Sequence, residues 1–165
     1  MRNVIKVALV AFVLVVGCAA PVAAGPFEDG MAAYNQGDYA TASRLLRPLA
    51  EQGHTFAQFN LGRMYHLGKG VPQDHFEAHK WYRLAAEQGH ADAQNTLGTM
   101  YSNGRGVPQD NTQAHMWFSI AASRYSASEP FFRDMAVKNR DAAAAKMTPA
   151  QVAEAQKLAR EWVPK

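Results

Sequence analysis

Two histidines one helical turn apart have the clearest metal-binding spacing in this sequence. His75 and His79 stand at positions i and i+4, with Glu77 between them. A zinc hydrolase of this type needs the order His-Glu-x-x-His, because the glutamate beside the first histidine is the general base. The order here is His-Phe-Glu-Ala-His, so the catalytic motif is absent. We expect packed or solvated histidines, with adventitious metal binding as the alternative, and we predict no metal site.

A lysine flanked by glycines is the second feature that could suggest chemistry, in this case phosphate binding. Gly68-Lys69-Gly70 lacks the spacing G-x-x-x-x-G-K-[ST], and no strand pattern precedes it. The glycines are explained as residues that end a helix, because glycine adopts positive φ at little cost. No credible nucleophile–base pair is found. The sequence therefore predicts no catalytic residue, no cofactor and no enzyme, with a small envelope hydrolase as the alternative.

The composition limits the classes of partner. The chain has 165 residues, of which 48% are hydrophobic and 19% charged, so it is not a disordered polyelectrolyte. Its net charge of +3 includes Arg2 and Lys6, without which 15 basic residues face 14 acidic ones. No basic residues cluster into a stripe, so we predict no nucleic-acid binding. Cys18 is the single cysteine, which excludes an intrachain disulfide and a multi-cysteine metal site.

The first 24 residues have the three-part layout of a secretory signal peptide. A short positive start precedes the ten-residue apolar run Val7–Val16, and small residues end the segment at Ala24. A membrane-spanning helix needs about 20 apolar residues, so this run is too short to be one. We expect cleavage after Ala24 and export of the protein to the periplasm or the medium.

An alternative processing site lies within the same segment. Val15-Val16-Gly17-Cys18 resembles a bacterial lipobox, in which the cysteine is acylated and becomes the new N-terminus. Lipidation at Cys18 would anchor the protein to a membrane, and we expect membrane association only in that case.

A period of 36 residues organises the rest of the chain. Residues 57–88 and 93–124 match at 17 of 32 positions when shifted by 36, and a shorter copy covers 27–53. Repeats of this length indicate stacked supersecondary units. The predicted divisions are a signal peptide over 1–24, a repeat array over 25–125 and C-terminal capping helices over 126–165.

Each full copy has the pattern of two helices. Ala57, Leu61 and Tyr65 share one apolar face of the first helix. Asp74 is placed to cap the second helix, and Glu77, three residues later, could complete a reciprocal capping box. No strand pattern is convincing, so the sequence predicts an all-α protein.

Three pairs of residues recur at equivalent repeat positions. They are Trp81 and Trp117, Gly62 and Gly98, and His54 and His90. We expect the tryptophans in the core, because they lie on alanine-rich helix faces, and the glycines where a neighbouring helix approaches closely. The histidines are interpreted as local structure around the turn before a new helix.

Two further helices are predicted after the array. The first runs from Pro130 to about Lys146, and the second runs from a cap at Thr148 to about Trp162. Because the end of a repeat array must be covered, these helices are interpreted as its cap. Their buried residues are predicted to be Val152, Leu158 and Trp162.

The repeated pattern closely resembles that of the Sel-1-like repeat family, relatives of tetratricopeptide repeats. The first set of residues that carry the resemblance is Leu61, Gly62, Tyr65, Gly68, Gly70, Val71, Asp74, Ala78, Trp81, Ala85, Ala86 and Gly89; the second is Leu97, Gly98, Tyr101, Gly104, Gly106, Val107, Asp110, Ala114, Trp117, Ala121 and Ala122. The resemblance implies a right-handed α-solenoid of antiparallel helix pairs. It also implies an adaptor that binds other proteins. Some secreted members carry cysteine pairs in each repeat, and this chain does not.

The resemblance also places a candidate binding surface, since the first helices of such arrays line the concave side. The inward residues that are free of the repeat signature are Phe59, Arg63, His66, Asn95, Thr99 and Ser102. They could hold a peptide through main-chain hydrogen bonds and an arginine–carboxylate contact, or they could be ordinary solvated residues. We expect a non-catalytic protein-interaction module of the bacterial cell envelope. The alternatives are a small envelope hydrolase and a carbohydrate- or cell-wall-binding module. A sugar-binding module would need solvent-facing aromatic residues, and we expect those that can be placed to be buried.

Overall fold

The computed structural model describes residues 25–165, and all regular structure in that range is helical. The predictions about the leader, its cleavage and Cys18 lie outside the described residues. The helices are α1 (Pro26–Gln36), α2 (Tyr39–Glu51), α3 (Thr55–Leu67), α4 (His75–Glu87), α5 (Ala91–Asn103), α6 (Asn111–Arg124), α7 (Pro130–Ala144) and α8 (Pro149–Glu161). None of these described helices combines the length and the hydrophobicity that crossing a membrane requires.

The helices stack as successive pairs. Within the pairs, α1 packs on α2, α3 on α4, and α5 on α6; between pairs, α2 packs on α3 and α4 packs on α5. Both α7 and α8 pack on α6 at the end of the array. The predicted all-α solenoid fold is confirmed.

The second helices begin at aspartate caps, as the spacing predicts. Asp74 Oδ1 accepts hydrogen bonds from the backbone N–H groups of Phe76 (2.9 Å) and Glu77 (3.0 Å). The reciprocal half of the predicted capping box is wrong for this helix, because the Glu77 carboxylate turns outward to pair with Lys80 at 3.4 Å. A complete capping box forms instead at the start of α8.

The histidines before α3 and α5 are also helix caps. His54 Nδ1 accepts a hydrogen bond from the N–H of Ala57 at 3.1 Å, and His90 Nδ1 accepts one from Ala93 at 3.3 Å. An imidazole can accept in this way only while the ring nitrogen carries no proton. The interpretation of these residues as local turn structure is therefore confirmed, with a definite hydrogen bond as its cause.

Buried aromatic rings fill the space between the paired helices. Trp81 and Trp117 are each only 6% exposed, which confirms their predicted place in the core. A Cβ atom on Gly98 would lie 2.6 Å from the ring of Phe118, and one on Gly62 would lie 2.9 Å from the ring of Tyr82. The predicted close approach at both glycines is confirmed.

The glycine-rich loops join neighbouring repeats as well as ending helices. Gly70 (φ +70°) lies against the carbonyl of Tyr39, and Gly106 (φ +75°) lies against the carbonyl of His75 in the preceding repeat. A Cβ atom at either glycine would overlap that carbonyl. The interpretation of these glycines as helix stops is therefore incomplete, because it considers one repeat at a time.

A buried glutamine forms the second recurring contact between repeats. Gln58 Nε2 donates to the carbonyl of Ala50, and Gln94 Nε2 donates to that of Ala86, each at 3.0 Å. Because both glutamines are buried, these bonds satisfy side-chain N–H groups that would otherwise be costly to bury. The same contact thus links α2 to α3 and α4 to α5.

The C-terminal helices are more exposed than predicted. Val152, Leu158 and Trp162 are half-buried rather than buried, and Ala155 is the buried residue of α8. The reason is that α8 packs on α6 along one side, while its other side faces solvent. Trp162 lies edge-on to Trp117, with ring centroids 6.2 Å apart.

Several phenylalanines outside the repeat signature are exposed. The exposed ones, with their exposed fractions, are Phe56 (57%), Phe76 (66%), Phe131 (72%) and Phe132 (43%). They lie outside the repeat signature, where no packing position determines the residue type.

Candidate functional site

An arginine held between two aromatic rings begins the candidate surface on the first helices. The Arg63 Cζ atom lies 5.3 Å from the ring centroid of Tyr34 and 5.9 Å from that of Phe59. Its guanidinium donates to Asn60 Oδ1 at 3.3 Å, and Asn60 in turn donates to the carbonyl of Phe56. These contacts fix the orientation of the cation while it stays partly exposed.

Stacked rings continue this surface toward the second full repeat. The ring of Phe59 stacks on that of His90 at 4.4 Å, and it lies 5.7 Å from that of Tyr82. The Tyr82 ring also lies 6.3 Å from His66. Burial raises the pKa of Tyr82, so its hydroxyl stays protonated at physiological pH. Tyr82 is therefore a neutral, rigid connection between Phe59 and His66.

A small pocket lies between α3 and α5. It encloses about 160 Å³, and its lining residues are His66, Asn95, Thr96, Thr99, Met100, Asn103 and Arg105. His66 Nδ1 and Asn95 Oδ1 are buried and have no hydrogen-bond partner among the described residues. Burial, and then the nearby His75 and Arg105, lower the pKa of His66. The ring is therefore neutral at pH 7.

A second small pocket follows between α5 and α7. It encloses about 180 Å³, and its lining residues are Thr99, Ser102, Asn103, Phe118, Asn139 and Ala142. None of these side chains is charged. The six predicted residues thus lie along one surface, which we call the first-helix face, from Arg63 and Phe59 through His66, Asn95 and Thr99 to Ser102. Their role in binding stays a prediction.

The part of the first-helix face that α3 and α5 form carries positive charge. Helix α3 contains no acidic residue, and Asp92, the acid of α5, accepts a hydrogen bond from the Tyr125 hydroxyl at 2.9 Å. The salt bridges of the described residues involve other cations, on α4, α7 and the C-terminal residue. Arg63, Lys69 and Arg105 therefore keep their charges without an acidic partner among residues 25–165.

Two of these cations were missed by the sequence reasoning. Lys69 lies over the rings of Tyr39 (4.7 Å) and Tyr34 (5.5 Å), and Arg105 lines the pocket beside His66. Their signal in the sequence is a cation between two glycines in both full copies.

The two histidines with metal-binding spacing face different neighbours. His79 Nε2 lies 3.3 Å from the hydroxyl of Tyr101, whereas the ring of His75 lies 5.0 Å from that of His66. Within residues 25–165, no group of three or more histidine, cysteine, aspartate or glutamate side chains is arranged to hold a metal ion.

Two larger grooves lie beside α4 and the C-terminal residues. They enclose about 450 and 500 Å³, and both are lined by Arg83, Glu87 and Lys165. The Glu87 carboxylate accepts hydrogen bonds from Arg83 at 2.9 Å and from Lys165 at 3.1 Å. The three charged residues that the two grooves share are therefore joined by ion pairs, unlike the cations of the first-helix face.

Comparison with known proteins places this arrangement among related sequences. The Sel1 repeat model matches residues 55–90 and 91–126. A solved protective antigen of uropathogenic Escherichia coli strains, with an SLR fold, is 32% identical with a TM-score of 0.73, over 83% of this chain and 29% of that one. A Sel1 repeat protein from Oxalobacter formigenes is 29% identical with a TM-score of 0.57, over 82% of this chain and 63% of that one.

A relative is also found among curated proteins. An exopolysaccharide production negative regulator from Rhizobium leguminosarum bv. viciae is 44% identical over 61 residues, which are 35% of this chain. The match spans only 23% of the length of that regulator. The similarity therefore covers only part of each protein.

Proposed function

Because the chain is a Sel-1-like repeat protein, we propose that it is a non-catalytic interaction module of the bacterial cell envelope that binds a segment of a partner protein on its first-helix face. Sel1 repeat proteins are generally protein-interaction modules. The envelope location rests on the secretory pattern of residues 1–24. The name of the rhizobial relative, a regulator of exopolysaccharide production, is compatible with such a location.

The observation that carries this proposal is the oriented, unpaired cation of the first-helix face. Arg63 is held by Tyr34, Phe59 and Asn60, and no acid of the described chain neutralises it. Arginine and aromatic residues are enriched at the centres of protein interfaces, because they combine a large contact area with directional donors. The residues that hold Arg63 in place also reduce the entropy that binding would cost.

Capture of partners from envelope fractions tests the proposal. We expect the wild-type protein to enrich a reproducible set of proteins, and we expect Arg63→Glu and Phe59→Ala to lose them. Arg160→Glu, at an exposed position of α8, is the matched control and should retain them. Normal helicity of each variant by circular dichroism is required. Equal capture by wild type and Arg63→Glu would remove the first-helix face from consideration.

The proposed export has its own test. The mass of the mature protein should correspond to a start at Gly25, after cleavage at Ala24. A lipid-modified start at Cys18 would instead make the protein membrane-anchored, and an unprocessed chain would contradict export.

A further inference from the structure

The pocket between α3 and α5 exists because the two full repeats differ at their inward positions. Phe59 and Arg63 of the first copy correspond to Asn95 and Thr99 of the second. The smaller side chains leave space opposite His66, and that space is the pocket of about 160 Å³. The stacked helices α3 and α5 thus form the walls of the pocket, and the smaller side chains at two inward positions of α5 leave the space between them.

Two residues that line this pocket can donate hydrogen bonds. His66 Nδ1 and Asn95 Oδ1 are buried without a partner, and each residue carries a second polar nitrogen that can donate, His66 Nε2 and Asn95 Nδ2. Because His66 Nδ1 has no acceptor, the proton of the neutral ring belongs on Nε2, where it can donate. The hydroxyls of Thr96 and Thr99 already donate to the carbonyls of Asp92 and Asn95.

Arg105 adds a positive charge that has no partner among the described residues. Its counterpart in the preceding repeat, Lys69, lies over the rings of Tyr39 and Tyr34. Arg105 instead lines the pocket beside His66, and its guanidinium has no ion-pair or cation–π partner within residues 25–165. The lining of the pocket includes no acid.

The size of the pocket indicates what it can hold. Pockets for whole small molecules usually enclose roughly 300–1,000 Å³. A volume of about 160 Å³ suits one functional group of a larger ligand. A planar anion with two acceptor oxygens matches a guanidinium and two N–H donors.

We propose that this pocket receives a carboxylate carried by the bound partner segment, with Arg105, His66 Nε2–H and Asn95 Nδ2–H as its donors. The inference rests on the proposed function and defines its partner more closely, as an acidic segment. The carboxylate belongs to a glutamate or aspartate side chain or to a chain terminus. Arg63, farther along the same face, would contact the rest of the segment.

Nuclear magnetic resonance titration tests this without knowledge of the partner. The probes are N-acetyl-glutamate N-methylamide for a side-chain carboxylate, N-acetyl-alanine for a terminal one, and N-acetyl-glutamine N-methylamide as the neutral control. We expect at least one acid to shift the Asn95 side-chain amide signals saturably, and the neutral control to leave them unchanged. The stronger of the two acids identifies the source of the carboxylate.

Substitutions decide whether the named donors are responsible. Arg105→Gln should weaken binding of the acid about tenfold, because charge-assisted hydrogen bonds are lost, and His66→Ala should weaken it less. Arg160→Gln is the control for charge alone, and the uncharged pocket around Ser102 and Asn139 is the internal reference. The proposal is overturned if neither acid shifts Asn95, if the glutamine probe binds equally, or if Arg105→Gln binds as wild type does.

The two proposals can fail separately. If the wild-type protein captures a partner and Arg105→Gln captures it equally, the carboxylate pocket is wrong and the interaction module stands. If the acids bind at Asn95 but no partner is ever enriched, the pocket stands and the proposed function fails.

Discussion

Gly98 and Phe118 share a space that has room for only one side chain. Replacement of glycine by alanine inside a helix usually stabilises it by about 1 kcal/mol. Here the added methyl group would lie 2.6 Å from a ring that is 97% buried and has little room to move. Such overpacking typically costs about 1–3 kcal/mol, so the steric term should dominate.

Gly98→Ala should therefore lower the free energy of unfolding by about 1 kcal/mol, measured by urea denaturation. In a Phe118→Leu background the same substitution should be neutral or stabilising, because the ring is gone. Equal effects in both backgrounds would show that the ring is not the cause, since a coupled pair must be non-additive.

The residues also show where sequence reasoning stops. The repeat predicted that Gly62 and Gly98 meet a neighbour, because both recur inside helices that glycine weakens. It did not predict the neighbours of Gly70 and Gly106, since those are carbonyls of the preceding repeat. The availability of Arg105 depends likewise on whether His75 or a tyrosine stands opposite, which only the packed structure determines.

Single helices depend on their caps. Asp74 satisfies two N–H groups at the start of α4, and this helix supplies Trp81 and Tyr82 to the core. Asp74 therefore stabilises the start of α4 through its acceptor oxygen alone, without a reciprocal hydrogen bond from Glu77. Sequence reasoning found the cap because aspartate precedes the apolar pattern, but side-chain rotamers decide where Glu77 points.

Asp74→Ala should lower the free energy of unfolding by about 1 kcal/mol, since both cap hydrogen bonds are lost. Asp74→Asn retains an acceptor oxygen and should recover most of the loss. Urea denaturation of the three proteins gives the comparison, and an alanine variant as stable as wild type would show that the cap contributes nothing.

The whole molecule should be sensitive to mild acid because of its histidines. Burial lowers the pKa of His66, His79, His90 and His115 from the ordinary value of 6.5. The folded protein therefore binds fewer protons than the unfolded chain as pH falls below 6.5. The stability from the neutral rings is complete above that pH and is lost as pH falls through the folded pKa values.

Urea midpoints should consequently be lower at about pH 5.5 than at about pH 7.5, with net proton uptake on unfolding in that interval. A further loss is expected below 4.5, where the lowered pKa of Glu87, which accepts hydrogen bonds from Arg83 and Lys165, comes into effect. A midpoint that is unchanged or higher at the lower pH would contradict the proposed role of the buried histidines.

The overall architecture was predictable because the same information occurs twice in the chain. Matching apolar faces, aspartate caps and recurring tryptophans specify helix pairs without any three-dimensional data. The burial of side chains in the C-terminal helices was harder to predict, since α7 and α8 have no second copy in the chain for comparison. The half-burial of Trp162 depends on how far α8 is displaced across α6.

The contacts between neighbouring repeats also bear on how such a chain could evolve. Both junctions have a glutamine that donates to a carbonyl of the preceding helix and a glycine that packs against a carbonyl of the preceding repeat. Each repeat therefore contains the residues that join it to the one before. Duplication or loss of one unit would leave every joint chemically unchanged. The first-helix face can thus lengthen or shorten by whole repeats, while substitutions at inward positions change the side chains that each repeat presents there.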